Sequence, residues 1–259
     1  MLDRGAYISP VAPAGKGDAA ERALRSAVVH CTLEPGERLS EVALAREFGL
    51  GRGAVRAALA RLQASGFVSS SARSGWSVKP VSAAEIREVS AARRQLEPLL
   101  CQVALDEAAR ARLHGLAEMH MALMQRRALG GDILPTIRRC ERDILECLAA
   151  RLAMPTVAGW LADLWDRAIR LVNFFEATGP VRLVPADRSR LAEAMIGGRR
   201  SDALDHLAAA NAALEAYLLD RFLESEAVVG ISSARRPAEK DRQARAPRRS
   251  STSGKIRTL

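Results

Sequence analysis

Two glycines seventeen positions apart, Gly49 and Gly66, bracket the segment that most limits how this chain can fold. Residues 38–79 read RLSEVALAREFGLGRGAVRAALARLQASGFVSSSARSGWSVK. Ser40 stands where a helix N-cap is needed, with Glu41 in the first turn against the positive end of the helix dipole. Val42, Ala45 and Phe48 predict the inner face of this short helix, with Leu44 beside them. Gly49 ends it in a sharp turn. A second helix follows over about 52–65, closed by Gly66, with Val55, Ala58, Leu59 and Leu62 as its buried stripe. FVSSS and WSVKP then form two β-compatible runs around Arg73-Ser74-Gly75. Helix, turn, helix, strand, glycine tip and strand make a winged helix-turn-helix, a shape suited to duplex DNA.

The chemistry of the second helix agrees. Arg52, Gly53, Arg56 and Ala60 share a flank roughly 120° from the apolar stripe. Small residues there let the backbone approach a groove while guanidinium groups reach bases or phosphates. The start of this helix, Gly51-Arg52-Gly53, and Arg61 further along it join the candidate contacts, with Arg73, Ser74 and Gly75 at the wing. An arginine beside a glycine tip suits a minor groove or backbone. Across 50–80 the chain has five Lys or Arg and no acid. That local excess says more than the net charge of +9, because residues 232–259 alone carry nine basic residues against Glu239 and Asp241. The alternative for this segment is a small α/β module with solvated arginines.

Around this module the chain divides readily. Residues 1–18, rich in Gly, Ala and Pro, are expected to be a flexible arm. Residues 19–31 place Leu24, Ala27, Val28 and Cys31 on one helical face, and Pro35-Gly36 turns the chain before Leu39. The winged module is thus expected over 19–80. No apolar run nears the roughly 18 residues of a membrane span, and the N-terminus has no apolar signal core, so a cytoplasmic protein is expected. Four cysteines without a CxxC pair fit buried reduced thiols, Cys140 and Cys147 sharing a helix face.

LEPGERLSEVALAREFGLGRGAVRAALARLQASGFV resembles the N-terminal domain of GntR-type bacterial transcriptional regulators. The resemblance rests on Pro35-Gly36, Arg38-Leu39, Glu41, Leu44-Ala45, Phe48-Gly49, Arg52, Val55-Arg56, Ala58-Leu59, Arg61-Leu62 and Gly66, and spans about sixty residues. Two positions depart from it. Gly51 stands where the family has a Ser or Thr cap, and Ala57 where it has glutamate after the arginine. The first change costs only a few tenths of a kcal/mol, but it removes a hydroxyl that could reach phosphate.

Past Pro80, Ser82 and Glu85 predict a capping box, and Ile86, Val89, Leu96, Leu99, Leu100 and Val103 continue at helical spacing. Arg93 and Leu96-Glu97 match the R-x-x-L-E opening of the FCD effector domain found in the FadR-like branch of the GntR family. Helices are expected over about 106–129, 134–152, 155–176, 185–196 and 201–226, with breaks at Gly130-Gly131, Met154-Pro155, Gly179-Pro180 and Gly197-Gly198. The fold class expected is mainly α: the winged helix-turn-helix, then an antiparallel all-α bundle of about six to seven helices over 81–231 for effector binding and dimerisation. Residues 232–259 are expected to form a disordered basic tail that could add phosphate contacts.

The resemblance also implies a metal held by an aspartate and three histidines in such bundles. Here Glu141 falls at the aspartate and Leu145 at the first histidine, the second falls at Asp187 or Arg188, and the third at Ala210 or Asn211. His114, His120 and His206 are expected on the surface, so the family-type metal site is read as lost and no cofactor is expected. What remains on the pocket helices is polar: Arg138, Arg139, Glu141, Arg167, Arg170, Asn173 and Asn211. Of these, Arg139, Glu141, Arg170, Asn173 and Asn211 are the candidate effector residues, since an arginine pair can hold a carboxylate without a metal. Trp160, Trp165, Phe174 and Phe175 are expected in core or dimer packing. Taken together, the chain reads as a homodimeric transcription factor on a palindromic operator, modulated by a small carboxylate. The alternatives are a ligand-independent regulator with a degenerate pocket, and an enzyme with an appended DNA-binding domain. For the latter there is no nucleophile–base pair or phosphate loop in the sequence.

Overall fold

A computed structural model describes residues 16–73, 75–128 and 133–234 of the 259-residue chain. Ser74, Gly130-Gly131, most of the arm expected over 1–18 and all but the first three residues of the basic tail lie outside the described residues. The described residues as far as Phe222 belong to one compact unit.

The N-terminal part runs α1 (Lys16–Val29), β1 (Arg38–Leu39), α2 (Glu41–Glu47), α3 (Arg52–Ala64), β2 (Val68–Ser71) and β3 (Gly75–Val78). The three strands are antiparallel in the order β1-β3-β2, with Ser71 opposite Gly75 at the wing tip and Arg38 opposite Ser77 at the other edge. The two-residue strand β1 carries too few residues to show a period of two. Ser40 caps α2 by accepting from the Ala43 N–H at 3.4 Å. Gly49, at φ 64°, takes the left-handed turn that swings α3 across α2. Leu24 and Val28 of α1, Val55, Leu59 and Leu62 of α3, and Phe67 and Val78 form one closed core. On α2 the buried residue is Leu44, whereas Val42, expected inside, is 58% exposed. The 100° helical step puts Val42 about 160° from Leu44, so a helix this short cannot bury both.

The remainder runs α4 (Ala83–Leu96), a 3-10 turn (Glu97–Gln102), α5 (Glu107–Ala128), α6 (Leu134–Ala149), α7 (Pro155–Thr178), α8 (Arg188–Ile196) and α9 (Arg200–Ala234). The fold is mainly helical, a winged helix-turn-helix followed by a helical domain with six α-helices among the described residues. Leu100, Leu113, Ile144, Leu148, Leu161 and Leu191 centre its main core. A second cluster joins α4, α7 and α9 through Ile86, Val89, Leu171, Phe175 and Leu218. Ile169 of α7 packs against both this cluster and the winged module. Among the described residues no helix is long and apolar enough to cross a membrane.

Several local expectations change. Helix α8 starts at Arg188 rather than Pro185, and residues 181–187 have no regular structure. Pro185 disfavours helical backbone at Val184, so the chain enters α8 extended. Ser82 does cap α4, accepting from the Glu85 N–H at 3.2 Å, but the Glu85 carboxylate turns away to Arg170. The capping box is therefore only half made. His120, expected on the surface, is completely buried, with both ring nitrogens unpaired. It falls in the row Leu113, Ala117, His120, the spacing of one helix face. Trp165 and Phe175 are buried as expected, whereas Trp160 is 55% exposed. Cys101, Cys140 and Cys147 are buried free thiols, and Cys31 is half-buried.

Candidate nucleic-acid interface and bundle cavity

Helix α3 presents Gly51, Arg52, Gly53 and Arg56 on exposed surface, beside the exposed wing residues Arg73 and Gly75. Gly51 is the N-cap and makes no side-chain cap bond. A Cβ at Gly51 or Gly53 would meet no atom within 4 Å, so no internal packing requires either glycine. Gly75 differs: its φ of 67° is a left-handed conformation that the hairpin itself requires.

Arg56 is held in place. Its Nε donates to both Glu41 carboxylate oxygens at 3.0 and 3.1 Å, and its Nη2 donates to Oε2 at 2.7 Å. The Trp76 indole N–H donates to the same carboxylate at 3.2 Å. Glu41 therefore ties α2, α3 and the wing together, and the hydrogen bond from Arg56 holds its carboxyl below the usual range. This bidentate grip orients the Arg56 fork while its side chain stays 66% exposed. From sequence alone Glu41 showed only a helix-dipole role.

Arg61 is not brought to this face. Nine residues beyond Arg52, it points about 180° away by the helical step. Its Nη1 donates to Asp18 at 2.7 Å and Glu21 at 3.0 Å, pinning α3 to α1.

The helical domain carries an open cavity of about 790 Å³, which Val29 and His30 also line. Ala209, Ala210 and Ala213 of α9 open it by their small size, opposite Trp165, Ile169 and Val172 of α7. Of the expected effector residues, Arg139, Glu141 and Asn173 reach its wall. Arg139 is 78% exposed and paired with Asp143 at 3.2 Å. Asn173 is at the wall but donates at 2.8 Å to the Val29 carbonyl of α1. Asn211 is buried behind it, donating to Glu97 at 2.8 Å. Glu97, wholly buried, also accepts from Arg93 at 2.7 Å and Trp165 at 2.8 Å. Burial pushes its carboxyl up, but the charges of Arg93 and Arg188 outweigh this and hold it below the usual range.

Arg170 lies outside the cavity, at the junction with the winged module. It is 0% exposed and donates to Glu85 at 3.1 Å and to the Lys79 carbonyl. Beside it Arg167 donates to Glu88 at 3.0 Å, and the Cys31 thiol donates to the Arg170 carbonyl at 3.7 Å. One turn earlier, Arg25 of α1 donates to Asp163 at 2.6 Å and Asp166 at 3.2 Å. Helix α7 thus grips the winged module along its length.

Sequence reasoning missed Arg188 as a candidate. It is 5% exposed, lines the cavity, and its Nη1 has no partner. Burial lowers its pKa from the usual value. Glu141 faces the same cavity with Oε1 unpaired, and burial raises its carboxyl. The positions that would supply a family-type metal site do not fit one. Leu145 offers no donor and the Arg188 guanidinium repels a cation, so only oxygens of Glu141, Asp187 and Asn211 remain where the family-type site has a carboxylate and three imidazoles. The described residues contain no group of three or more His, Cys, Asp or Glu placed for a metal ion.

Residues 16–78 match the family of bacterial regulatory proteins described as the gntR family. An uncharacterized HTH-type transcriptional regulator, YdhC of Bacillus subtilis, is 33% identical over 85 residues, which cover 33% of this chain and 38% of that protein. A second uncharacterized HTH-type transcriptional regulator, from the TAR-I ttuE-ttuC' intergenic region of Agrobacterium vitis, is 28% identical over 152 residues, 59% of this chain and 76% of that one. Among solved structures, Escherichia coli McbR/YncC superposes with a TM-score of 0.65 at 22% identity, covering 80% of this chain and 99% of the other. A structure assigned as a transcriptional regulator GntR from Rhodococcus sp. RHA1 gives 0.59 at 20% identity, covering 79% and 98%. These two show the shared fold.

Proposed function

We propose that this chain, a DNA-binding transcriptional regulator of the GntR type by its N-terminal domain, works as a homodimer on a palindromic operator and answers to a small organic acid. The observation that carries DNA binding is the exposed flank of α3, which has no acid of its own, with Arg52 and Gly53 open and Arg56 oriented by Glu41. Arg52 and Arg56 contact bases or adjacent phosphates, Gly51 and Gly53 admit the backbone closely, and Arg73, Ser74 and Gly75 follow the neighbouring groove or strand. The working division is a winged module over 19–80 and an FCD-like effector and dimerisation domain over 81–231. Exposed apolar side chains on the helical domain, Trp160 and Met154 among them, supply surface for pairing two copies. The setting proposed is the bacterial cytoplasm, and no catalytic role is assigned.

Effector control is supported by α7. Its Asn173 lines the cavity and bonds to α1 of the winged module, while Arg170 on the same helix holds the end of β3. A ligand that shifts α7 changes operator affinity if it binds the two arrangements differently. The test of DNA binding is Arg52→Ala in a fluorescence-anisotropy titration at fixed salt. It should lower specific operator affinity by about 1–3 kcal/mol and relax selectivity at one base position. Unaltered affinity would remove α3 as the reading element.

A further inference from the structure

Most of the charges facing the bundle cavity are already matched within the protein. Five of the six arginines on its wall have a carboxylate partner: Arg93 with Glu97 at 2.7 Å, Arg138 with Glu176 at 2.5 Å, and Arg142 with Glu146 at 2.6 Å. Arg139 has Asp143 at 3.2 Å and Arg190 has Asp187 at 3.1 Å. Arg188, 5% exposed, makes no such close pair among the described residues; the charges of Glu97 and Glu141 act on it, and its sealed Nη1 has no hydrogen-bond partner. The same holds in the opposite sign. Of the four wall carboxylates, Glu146 and Asp166 pair with Arg142, and Asp187 pairs with Arg190. Glu141 makes no close ion pair; it accepts from the Ala186 backbone and feels the charge of Arg188, while its Oε1 is sealed and unpaired.

The cavity therefore holds a buried guanidinium and a buried carboxyl that feel each other's charge, and each keeps one hydrogen-bonding atom, Arg188 Nη1 and Glu141 Oε1, without a partner. A buried polar atom left without a hydrogen bond is unfavourable, and a ligand that supplies the missing partner removes that cost. The whole cavity is about 790 Å³, within the range of small-molecule sites. The rest of the wall includes Leu145, Ile169, Val172, Leu183 and Leu214, which a charged ligand alone would not satisfy.

We propose that the cavity binds a small zwitterion, a 2-amino carboxylate with a bulky apolar side chain, its carboxylate against Arg188 and its ammonium against Glu141. This rests on the effector reading above and narrows its ligand from organic acids in general to amino acids. The carboxylate accepts from the guanidinium in the charge-assisted geometry that arginine favours. The ammonium donates to Glu141, and the apolar side chain packs on the α7 face towards α9. No metal takes part.

The experiment uses the full chain with a chelator present. L-Leucine and L-phenylalanine are titrated by calorimetry beside 4-methylpentanoate, 3-phenylpropionate and the corresponding decarboxylated amines. At least one of the two amino acids should bind, with each of its half-molecules weaker by at least about 30-fold, as expected for leaving one buried charge unpaired. Glu141→Gln should abolish that preference, weakening the amino acid by a similar factor and leaving the deaminated acid within about threefold. Arg188→Gln should remove both. Ala213→Phe, which fills the cavity from α9, should block binding without touching either charge. Binding of the deaminated acid as tight as the amino acid overturns the proposal, as does a ratio that Glu141→Gln leaves unchanged, or no binding of either amino acid. Operator titrations separate the two readings. An amino acid that binds but leaves operator affinity constant sinks effector control and keeps the site. A deaminated acid that binds as tightly and releases DNA does the reverse.

Discussion

Replacing Arg170 with methionine tests the junction between the two domains most directly. The guanidinium is 0% exposed, its Glu85 partner is 1% exposed at the side chain, and a second donor satisfies the Lys79 carbonyl. Methionine keeps much of the apolar stem but leaves a buried carboxylate and a backbone carbonyl unpaired. Breaking a buried pair from one side costs about 3–5 kcal/mol. Two features push the estimate towards the low end. Arg167 Nε lies 3.9 Å from Glu85 and remains. Burial also already raises the Glu85 carboxyl above its ordinary 4.5, so the group can escape by taking up a proton. A loss of about 3 kcal/mol at pH 8 follows, or roughly 6–12 °C in melting temperature at 2–4 °C per kcal/mol.

The sign with pH is fixed by the same group. A carboxyl whose folded-state pKa is raised contributes stability below its unfolded value and loses it as pH rises through the folded value. Arg170 opposes that rise, so removing it moves the folded value higher still. The deficit of Arg170→Met against the parent protein should therefore be smaller at pH 5 than at pH 8. Glu85→Gln added to Arg170→Met should recover most of the loss at pH 8, because no buried charge is left alone. Urea unfolding followed by circular dichroism at both pH values checks this. Equal deficits at pH 5 and pH 8, or no recovery in the double variant, would refute the reasoning.

Two further outcomes are expected. Gly51 has φ −73° and ψ 142°, which serine adopts freely, and open space at its Cβ; Gly51→Ser should therefore cap α3 and raise stability by a few tenths of a kcal/mol, read as a slightly higher melting temperature. His120 is buried without a partner and burial lowers its pKa from 6.5, so its contribution is present above pH 6.5 and is lost as pH falls below it, by up to about 1.4 kcal/mol per unit. His120→Leu should match or exceed the parent protein at pH 7.5 and exceed it clearly at pH 5.5 in urea midpoints; an unchanged pH slope would show that His120 does not carry it.

The winged module was legible in the sequence because each of its signals is local. Gly49 and Gly66 sit at helix ends where left-handed backbone is required, Ser40 caps the helix it precedes, and Val55, Ala58, Leu59 and Leu62 repeat at helical spacing. The helices of the second domain were legible for the same reason, most ends to within a few residues, although α9 runs to Ala234, eight residues past its expected end and into the expected tail. What was not local was not legible. Strand β1 exists only because β3 lies beside it, and Val42 reads as apolar without revealing that Leu44 takes the single inward position.

Charge shows the limit most clearly. Arg52, Arg56 and Arg61 look alike as letters on one helix, yet each acts differently. Arg52 stands exposed at the helix start, Arg56 is steered by Glu41 from fifteen residues away, and Arg61 is pinned to Asp18 and Glu21 on α1. The same holds in the helical domain, where Arg170, expected at a ligand, binds Glu85 across 85 positions, and Arg188 lies near Glu97 and Glu141 with its Nη1 unpaired. An arginine's role follows from which carboxylate reaches it first, and that depends on long-range packing. A basic helix face marks where DNA can bind, but buried polar atoms left unpaired after folding mark where a ligand can be held. On that criterion Glu141 stands out among the residues chosen by type, and Arg188, which was not chosen, joins it.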